Sequence, residues 1–373
     1  MIYLDHAATT PVKTEALQAA WPWLTSEFGN ASSSHELGSR ASAALDEARA
    51  SVAKFFNARS SEIVFTSGGT ESDNLGIIGL ALANPRGKHI VSAKTEHQAV
   101  LESISFLERV HGFETTWLEL DEFGQVVDFT SALRNDTSLV TLMVANNEIG
   151  TLHPIADFVI QTHEVGALFH SDAVQAVGWC DLDVHQLGVD ALSISGHKFG
   201  APKGVGVLFI KGRVQAEPLI HGGGQENGIR SGTENVAWAV ALAAAIEQLH
   251  SVDDEIAEVT ALRDEFINTV ESNVPGAKLT GHRTNRSPNI ASFTVQGISG
   301  EAVLLELERN EVIVSSGSAC AAGSDEPSHV LTAIGTPAEL AQTAIRFSFS
   351  HQTTPEDLHI AASTLREAVS KFA

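Results

Sequence analysis

The sequence predicts an α/β protein: a large domain built on a mostly parallel central sheet, followed by a smaller α+β domain. Three observations carry this expectation. Apolar, β-rich runs alternate with helix-length segments over the first two thirds of the chain, which implies a sheet covered on both faces. The 373 residues are 43% hydrophobic, enough for a large core and two structural regions. Near residue 251 the texture changes to one long helical pattern followed by shorter strands. The expected boundaries are 13–250 for the large domain, and 1–12 with 251–373 for the small one.

In chain order, "EIVFTS" (62–67) leads into "ESDNLGIIGLALA", and "HIVSA" (89–93) leads into "HQAVLESISFLERV". "LVTLMVAN" (139–146), "ALFHSDA" (167–173), "ALSIS" (191–195) and "VGVLFI" (205–210) follow as strands. The short gap between the last two predicts a neighbouring, antiparallel pair. "VAWAVALAAAI" (236–246) is a buried helix, too short to cross a bilayer. In the next segment Val252, Ile256, Val259, Leu262, Phe266 and Val270 recur at helical spacing. "NIASFTV" (289–295) and "TAIRFSFS" (343–350) are the later strands, before a final amphipathic helix.

Charge excludes some functions. Twenty-three basic residues against 46 acidic ones give a formal net charge of −23, which repels nucleic-acid phosphates and anionic membranes. Cys180 and Cys320 are the two cysteines, with no zinc-like spacing or disulfide framework. "MIYLDHAATTPV" has neither a basic n-region nor an apolar h-region, so a cytoplasmic protein is expected.

In a parallel sheet, ligands collect at the carboxyl ends of strands. The segments there are "GGTESDN", "NNEIG", "DAVQ" and "GHK", all polar or glycine-rich. Gly68 and Gly69 open a helix and make an anion site with the Thr70 hydroxyl; the ordinary alternative is a capping box from Thr70 to Asp73. Asp172 ends an apolar strand, where a carboxylate needs a cation or several donors. A pyridinium nitrogen would serve, and so would a plain strand-end cap. Lys198, in "SISGHKFGAPKG", could then hold an aldehyde as a Schiff base, or be a solvated surface charge. His97 could stack on a flat cofactor and shuttle protons, although a lone histidine is commonly a satisfied structural one. Cys320 lies in a Ser-, Gly- and Ala-rich loop (about 315–328) expected to be mobile, which suits an exposed nucleophile; the buried alternative suits Cys180 better.

Taken together, "YLDHAATTPV", "FGNASSSHELG", "EIVFTSGGTESDN", "KTEHQAVL", "NNEIG", "HSDAVQ", "SGHK", "HGGGQENGIRSGTEN", "SSGSAC", "EPSHVL" and "IRFSFS" resemble, in order, the class V aminotransferase family, and within it the cysteine desulfurases of the iron–sulfur-cluster and nitrogen-fixation branch. The resemblance implies a fold-type-I transferase that uses pyridoxal 5'-phosphate and converts L-cysteine to L-alanine, leaving a persulfide on Cys320. It implies that Lys198 holds the cofactor, Asp172 pairs with the ring nitrogen, Gln175 bonds the phenolic oxygen and His97 stacks on the ring. Gly69, Thr70, Ser195 and His197 would hold the phosphate, together with Thr233 from the other subunit of a homodimer. Asn147 and Arg346 would bind the substrate carboxylate. The sulfur would pass to an acceptor or scaffold protein, with no nucleic acid or membrane as partner. The resemblance leaves open whether Cys320 also serves as a transient iron–sulfur ligand; no other metal ligand is expected.

Within the fold the rivals are a selenocysteine lyase and an aminotransferase. A non-catalytic sulfur carrier would be expected to lose Lys198 or Asp172, and both are present. A metal hydrolase would need an HExxH-like cluster, which the sequence lacks. Two positions depart from the family pattern: Ala31 stands where proline is expected, and the sequence stops soon after "LREAVSKFA", without the tail that docks a scaffold in some relatives. The identity of the acceptor is therefore left open.

Overall fold

The computed structural model describes residues 1–84, 86–249, 253–317 and 326–372. In chain order it runs β1 (Ile2–Tyr3), α1 (Thr14–Thr25), α2 (Glu36–Phe55), β2 (Ile63–Thr66), α3 (Gly69–Asn74), α4 (Leu80–Ala83), β3 (His89–Ser92), α5 (Gln98–His111), β4 (Glu114–Trp117), β5 (Thr137–Thr141), α6 (Ile155–Glu164), β6 (Leu168–Asp172), α7 (Val184–Leu187), β7 (Ala191–Ser195), β8 (Gly206–Ile210) and α8 (Val236–Glu247). Then follow α9 (Asp253–Asn273), β9 (Ala277–Leu279), β10 (Ile290–Val295), α10 (Gly300–Arg309), β11 (Val312–Ile313), α11 (His329–Ala333), α12 (Ala338–Ala341), β12 (Ile345–Ser348) and α13 (Pro355–Phe372). Among the described residues no helix is long and apolar enough to cross a membrane.

Seven strands form the main sheet in the order β2-β8-β7-β6-β5-β3-β4. The neighbours from β7 to β4 pair in parallel, whereas β8 lies antiparallel to both β7 and β2. The strand alternation explains the two-sided burial. Val91, Val140, Leu192 and Val207 enter one apolar cluster with α2, α6 and α8, while Ile90, Leu139, Ala191 and Leu208 enter another with α5. Every strand of this sheet but β4 buries both faces, so its sequence has no need to alternate polar with apolar residues.

Strand β4 was not expected from the sequence. "ETTW" carries no apolar run because it is an edge strand whose side chains are exposed or half-buried. The predicted "LVTLMVAN" strand ends early, at Thr141; the residues after it lead into the cavity described below.

A second sheet, β12-β10-β9, is antiparallel and packs with α9, α10 and α13 around its own apolar cluster. Val259, Phe266 and Val270 of the predicted helical stripe are buried there, and Phe266 meets Phe293, Phe347 and Phe349 edge to face. Val252, the first of that stripe, lies outside the described residues. Leu4 belongs to this second cluster, and β1 pairs in parallel with β11.

Candidate active site

A cavity of about 860 Å³ opens beyond the carboxyl ends of β5, β6 and β7, with β12 of the second sheet contributing Arg346. Gly69, Thr70, His97, Asn147, Asp172, Gln175, Ser195, His197, Lys198 and Arg346 all line it, so the structure brings together most of the residues singled out from sequence. Thr233 does not line it; that residue is exposed on the segment before α8. Cys320 lies outside the described residues.

The turn from β2 into α3 forms one wall. Gly68 takes φ +155°, which L side chains rarely adopt. A Cβ on Gly69 would lie 2.9 Å from Val174 Cγ2 and 3.2 Å from Ser195 Cβ, so only glycine lets the helix start approach the ends of β6 and β7. The alternative, a capping box from Thr70 to Asp73, does not form: Gly68 is the N-cap, without a side-chain cap, and Asp73 is buried. The first amides of α3 therefore have no helical acceptor and no capping side chain.

Asp172 ends β6, and one oxygen accepts a hydrogen bond from the Val174 amide at 2.8 Å. Burial pushes its carboxyl up, opposed first by His97, then by that amide and by Lys198. Two further carboxyls are buried here, Glu96, which the sequence reading did not single out, and Asp73, which it read only as a possible capping residue. Both are pushed well above the usual carboxylate range by burial, with Asp172 adding to the effect. Of the three, Asp172 is the one whose upward shift is opposed by His97 and Lys198. Sequence gives no sign of this, because acidic residues at helix starts are ordinarily solvated.

Lys198 follows β7 in a short turn, and its ammonium donates to the carbonyls of Ala7 and Ala8 at 2.6 and 2.9 Å. Gln175 donates to the same Ala7 carbonyl at 2.8 Å. The desolvated lysine thus finds acceptors in the N-terminal segment, which the sequence motif around it does not reveal. His197 Nδ1 lies 3.1 Å from the Thr9 hydroxyl. Burial, helped by Lys198 and Lys203, pushes its ring down to about 4, so it is neutral at pH 7. His97 caps α5, accepting from the Ala99 amide at 3.1 Å, and is also lowered, chiefly by burial.

Arg346 is 1% exposed. Its Nη2 donates to Asp5 at 2.7 Å, and its Nη1 to the carbonyls of Asn147 and Gly317 at 2.8 and 3.2 Å. Its Nε is buried and has no hydrogen-bond partner among the described residues. Asp5 is the member of this group that the sequence reading missed. Cys180 is inert: burial, and then Asp181, push its thiol up to about 12.

Comparison with known proteins gives a consistent picture. The family described as aminotransferase class-V matches residues 2–360. A cysteine desulfurase IscS from Dictyoglomus turgidum is 49% identical, with 100% of this chain and 95% of that relative covered. The IscS of Methanosarcina thermophila is 43% identical, over 100% of this chain and 92% of its own. Among solved structures, a NifS-like protein superposes with a TM-score of 0.92 at 33% identity, with both chains fully covered at 100%. SspA in complex with cysteine gives 0.82 at 34% identity, covering 95% of this chain and 100% of its own.

Proposed function

The chain belongs to the class-V aminotransferase family, and from that premise we propose that it is a cysteine desulfurase dependent on pyridoxal 5'-phosphate, which takes sulfur from L-cysteine and releases L-alanine. The observation that carries this reading is the pairing, in one cavity, of the Lys198 ammonium with the buried Asp172 carboxylate, beside a glycine turn that a side chain would fill.

The residues fit the cofactor. Asp172 is a buried carboxylate that, among the described residues, accepts from the Val174 amide, which suits a protonated ring nitrogen at its other oxygen. The uncapped start of α3, with Thr70, Ser195 and His197, suits a phosphate; a neutral His197 can donate to it. Gln175 and His97 would bond the phenolic oxygen and stack on the ring. Thr233, exposed and away from its own cavity, would complete the phosphate site of a second copy of the chain in a homodimer. When bound, the cofactor supplies an aldehyde that captures amines and a ring that accepts electrons.

The chain's own groups do the rest. Arg346 and Asn147 bind and orient the substrate carboxylate, with Asp5 fixing the guanidinium. Lys198 Nζ takes the α-proton and later returns a proton to the product. The Cys320 thiolate attacks the substrate sulfur; the S–S bond forms as the Cβ–S bond breaks, its electron pair stays with the carbon skeleton, which takes up a proton to become alanine, and an acceptor protein then collects the persulfide sulfur. The division into 13–250 and 1–12 with 251–373 belongs to the same reading, supported by Leu4 packing in the second apolar cluster.

Cofactor-loaded protein given L-cysteine and a thiol reductant is expected to release sulfide and alanine in equal amounts. Cys320→Ser is expected to retain the cofactor and its spectral response to cysteine but to release no sulfide. Alanine without sulfide from the wild type would overturn the reading, and normal sulfide release from the variant would remove Cys320 from the mechanism.

A further inference from the structure

One wall of the cavity is made by residues that the reaction above does not use. His329, at the start of α11, lines the cavity with its side chain about one-third exposed (32%). Its Nε2 lies 3.0 Å from the main-chain carbonyl of Glu96, which can only accept, so Nε2 carries the proton and Nδ1 has the lone pair. Nδ1 lies 3.9 Å from Glu148 Oε1, with the Gln98 amide at 3.5 Å. Glu148 is itself 4% exposed, and its other oxygen accepts from the Ser328 hydroxyl. The backbone amides of Glu148 and Ile149 are both bound by Asn146 Oδ1 at 2.9 Å, so the carboxylate stands on a fixed turn. The result is an imidazole oriented on one nitrogen, with a negative charge beside the other.

We propose that His329 is a further catalytic base of this cavity, receiving the proton of the substrate thiol at Nδ1, and that Glu148 is its positioning residue. The inference rests on the cysteine desulfurase reading. With the amino group directed to Lys198 and the carboxylate to Arg346 and Asn147, the thiol is the substituent left for the remaining wall. As the Cys320 thiolate forms its S–S bond to the substrate sulfur, the S–H bond breaks and an Nδ1–H bond forms, the S–H electron pair staying on the persulfide sulfur and the Cβ–S pair staying with the alanine skeleton. Glu148 lies where the imidazolium so formed is stabilised. A free thiol ionises near pH 8.5, so at neutral pH this proton must be taken by a base. The other ionisable groups around His329 are Glu96 and His97 at the start of α5 and Glu326 on its own approach, with Asp172, Lys198 and Arg346 across the cavity.

The test follows sulfide and alanine release from L-cysteine by the cofactor-loaded enzyme between pH 6.5 and 9.5, for wild type, His329→Gln, His329→Ala and Glu148→Gln. His329→Gln is expected to lower kcat about 100-fold at pH 7 with KM nearly unchanged. The deficit should shrink as pH rises past about 8.5, where the thiol ionises unaided. Glu148→Gln should show the same trend with a smaller loss, and added imidazole should restore part of the His329→Ala activity. A loss that is uniform across pH and not relieved by imidazole, or no loss at all, overturns the proposal while leaving the desulfurase reading intact. A wild type that releases neither product overturns both.

Discussion

At the scale of single residues, Lys198 shows how far sequence reaches. Its motif marks it as a candidate Schiff-base lysine, yet the groups that hold its ammonium, the Ala7 and Ala8 carbonyls, lie some 190 positions away in sequence. Asp5 and Arg346 are 341 positions apart, and nothing in either segment announces the other. Asp73 and Glu96 were illegible for a different reason: a carboxyl that will be buried and neutral is written with the same letter as one that will be solvated. Lys198→Ala is expected to lose the yellow absorbance of the bound cofactor while leaving the far-ultraviolet circular dichroism unchanged. A variant that stayed yellow after dialysis, with an unchanged spectrum, would show that another amine holds the aldehyde.

At the scale of elements, the apolar runs of the main sheet were legible because the strands other than β4 are buried on both faces. The antiparallel β7–β8 pair was legible from its short connection. The edge strand β4 and the two-residue strands β1 and β11 were not, since they bury too little to leave a pattern. Nor was the staple that fixes α2 to the chain before α8. Glu226 binds both terminal nitrogens of Arg49, at 2.6 and 2.9 Å, and also accepts from the Phe65 amide at 3.0 Å. Arg49 reaches the Ile63 carbonyl at 2.7 Å, so β2 is clasped from two sides. The side chains are only 12% and 3% exposed. Glu226→Gln leaves a buried guanidinium without its counter-ion, at a cost of about 3–5 kcal/mol. Urea unfolding should register that loss; a change below about 1 kcal/mol would mean that solvent reaches the pair.

At the scale of the whole molecule, acid sensitivity has two opposing sources. His170 is buried between Thr141 and Ser193, and burial pushes it down to about 3 from its usual 6.5; Asp73 nearby is pushed well above its usual 3.8. Below pH 6.5 the unfolded chain protonates the imidazole and the folded chain does not, so stability drains away as pH falls, by up to about 1.4 kcal/mol per unit. Asp73 acts the other way: the folded chain keeps its proton while the unfolded chain loses it, so its contribution is present in acid and fades as pH rises. Comparing unfolding free energies at pH 7 and pH 5, wild type should lose about 2 kcal/mol relative to His170→Asn. Relative to Asp73→Asn it should gain. Gaps that do not move with pH would show that neither group titrates as its burial dictates.

The N-terminal strip also sets a clock. Residues 2–8 are synthesised long before these partners: Ile2 and Tyr3 pair with Val312 and Ile313, Ala7 binds the Ser348 hydroxyl, and Asp5 waits for Arg346. The main sheet can assemble while synthesis continues, since its strands end at Ile210. The carbonyls that hold Lys198 and the carboxylate that holds Arg346 cannot be fixed in place until nearly the whole chain has emerged. A half-made copy would therefore own the lysine and the aspartate but not the arginine that orients a substrate. On the proposed function, sulfur chemistry would then wait until Arg346 has emerged.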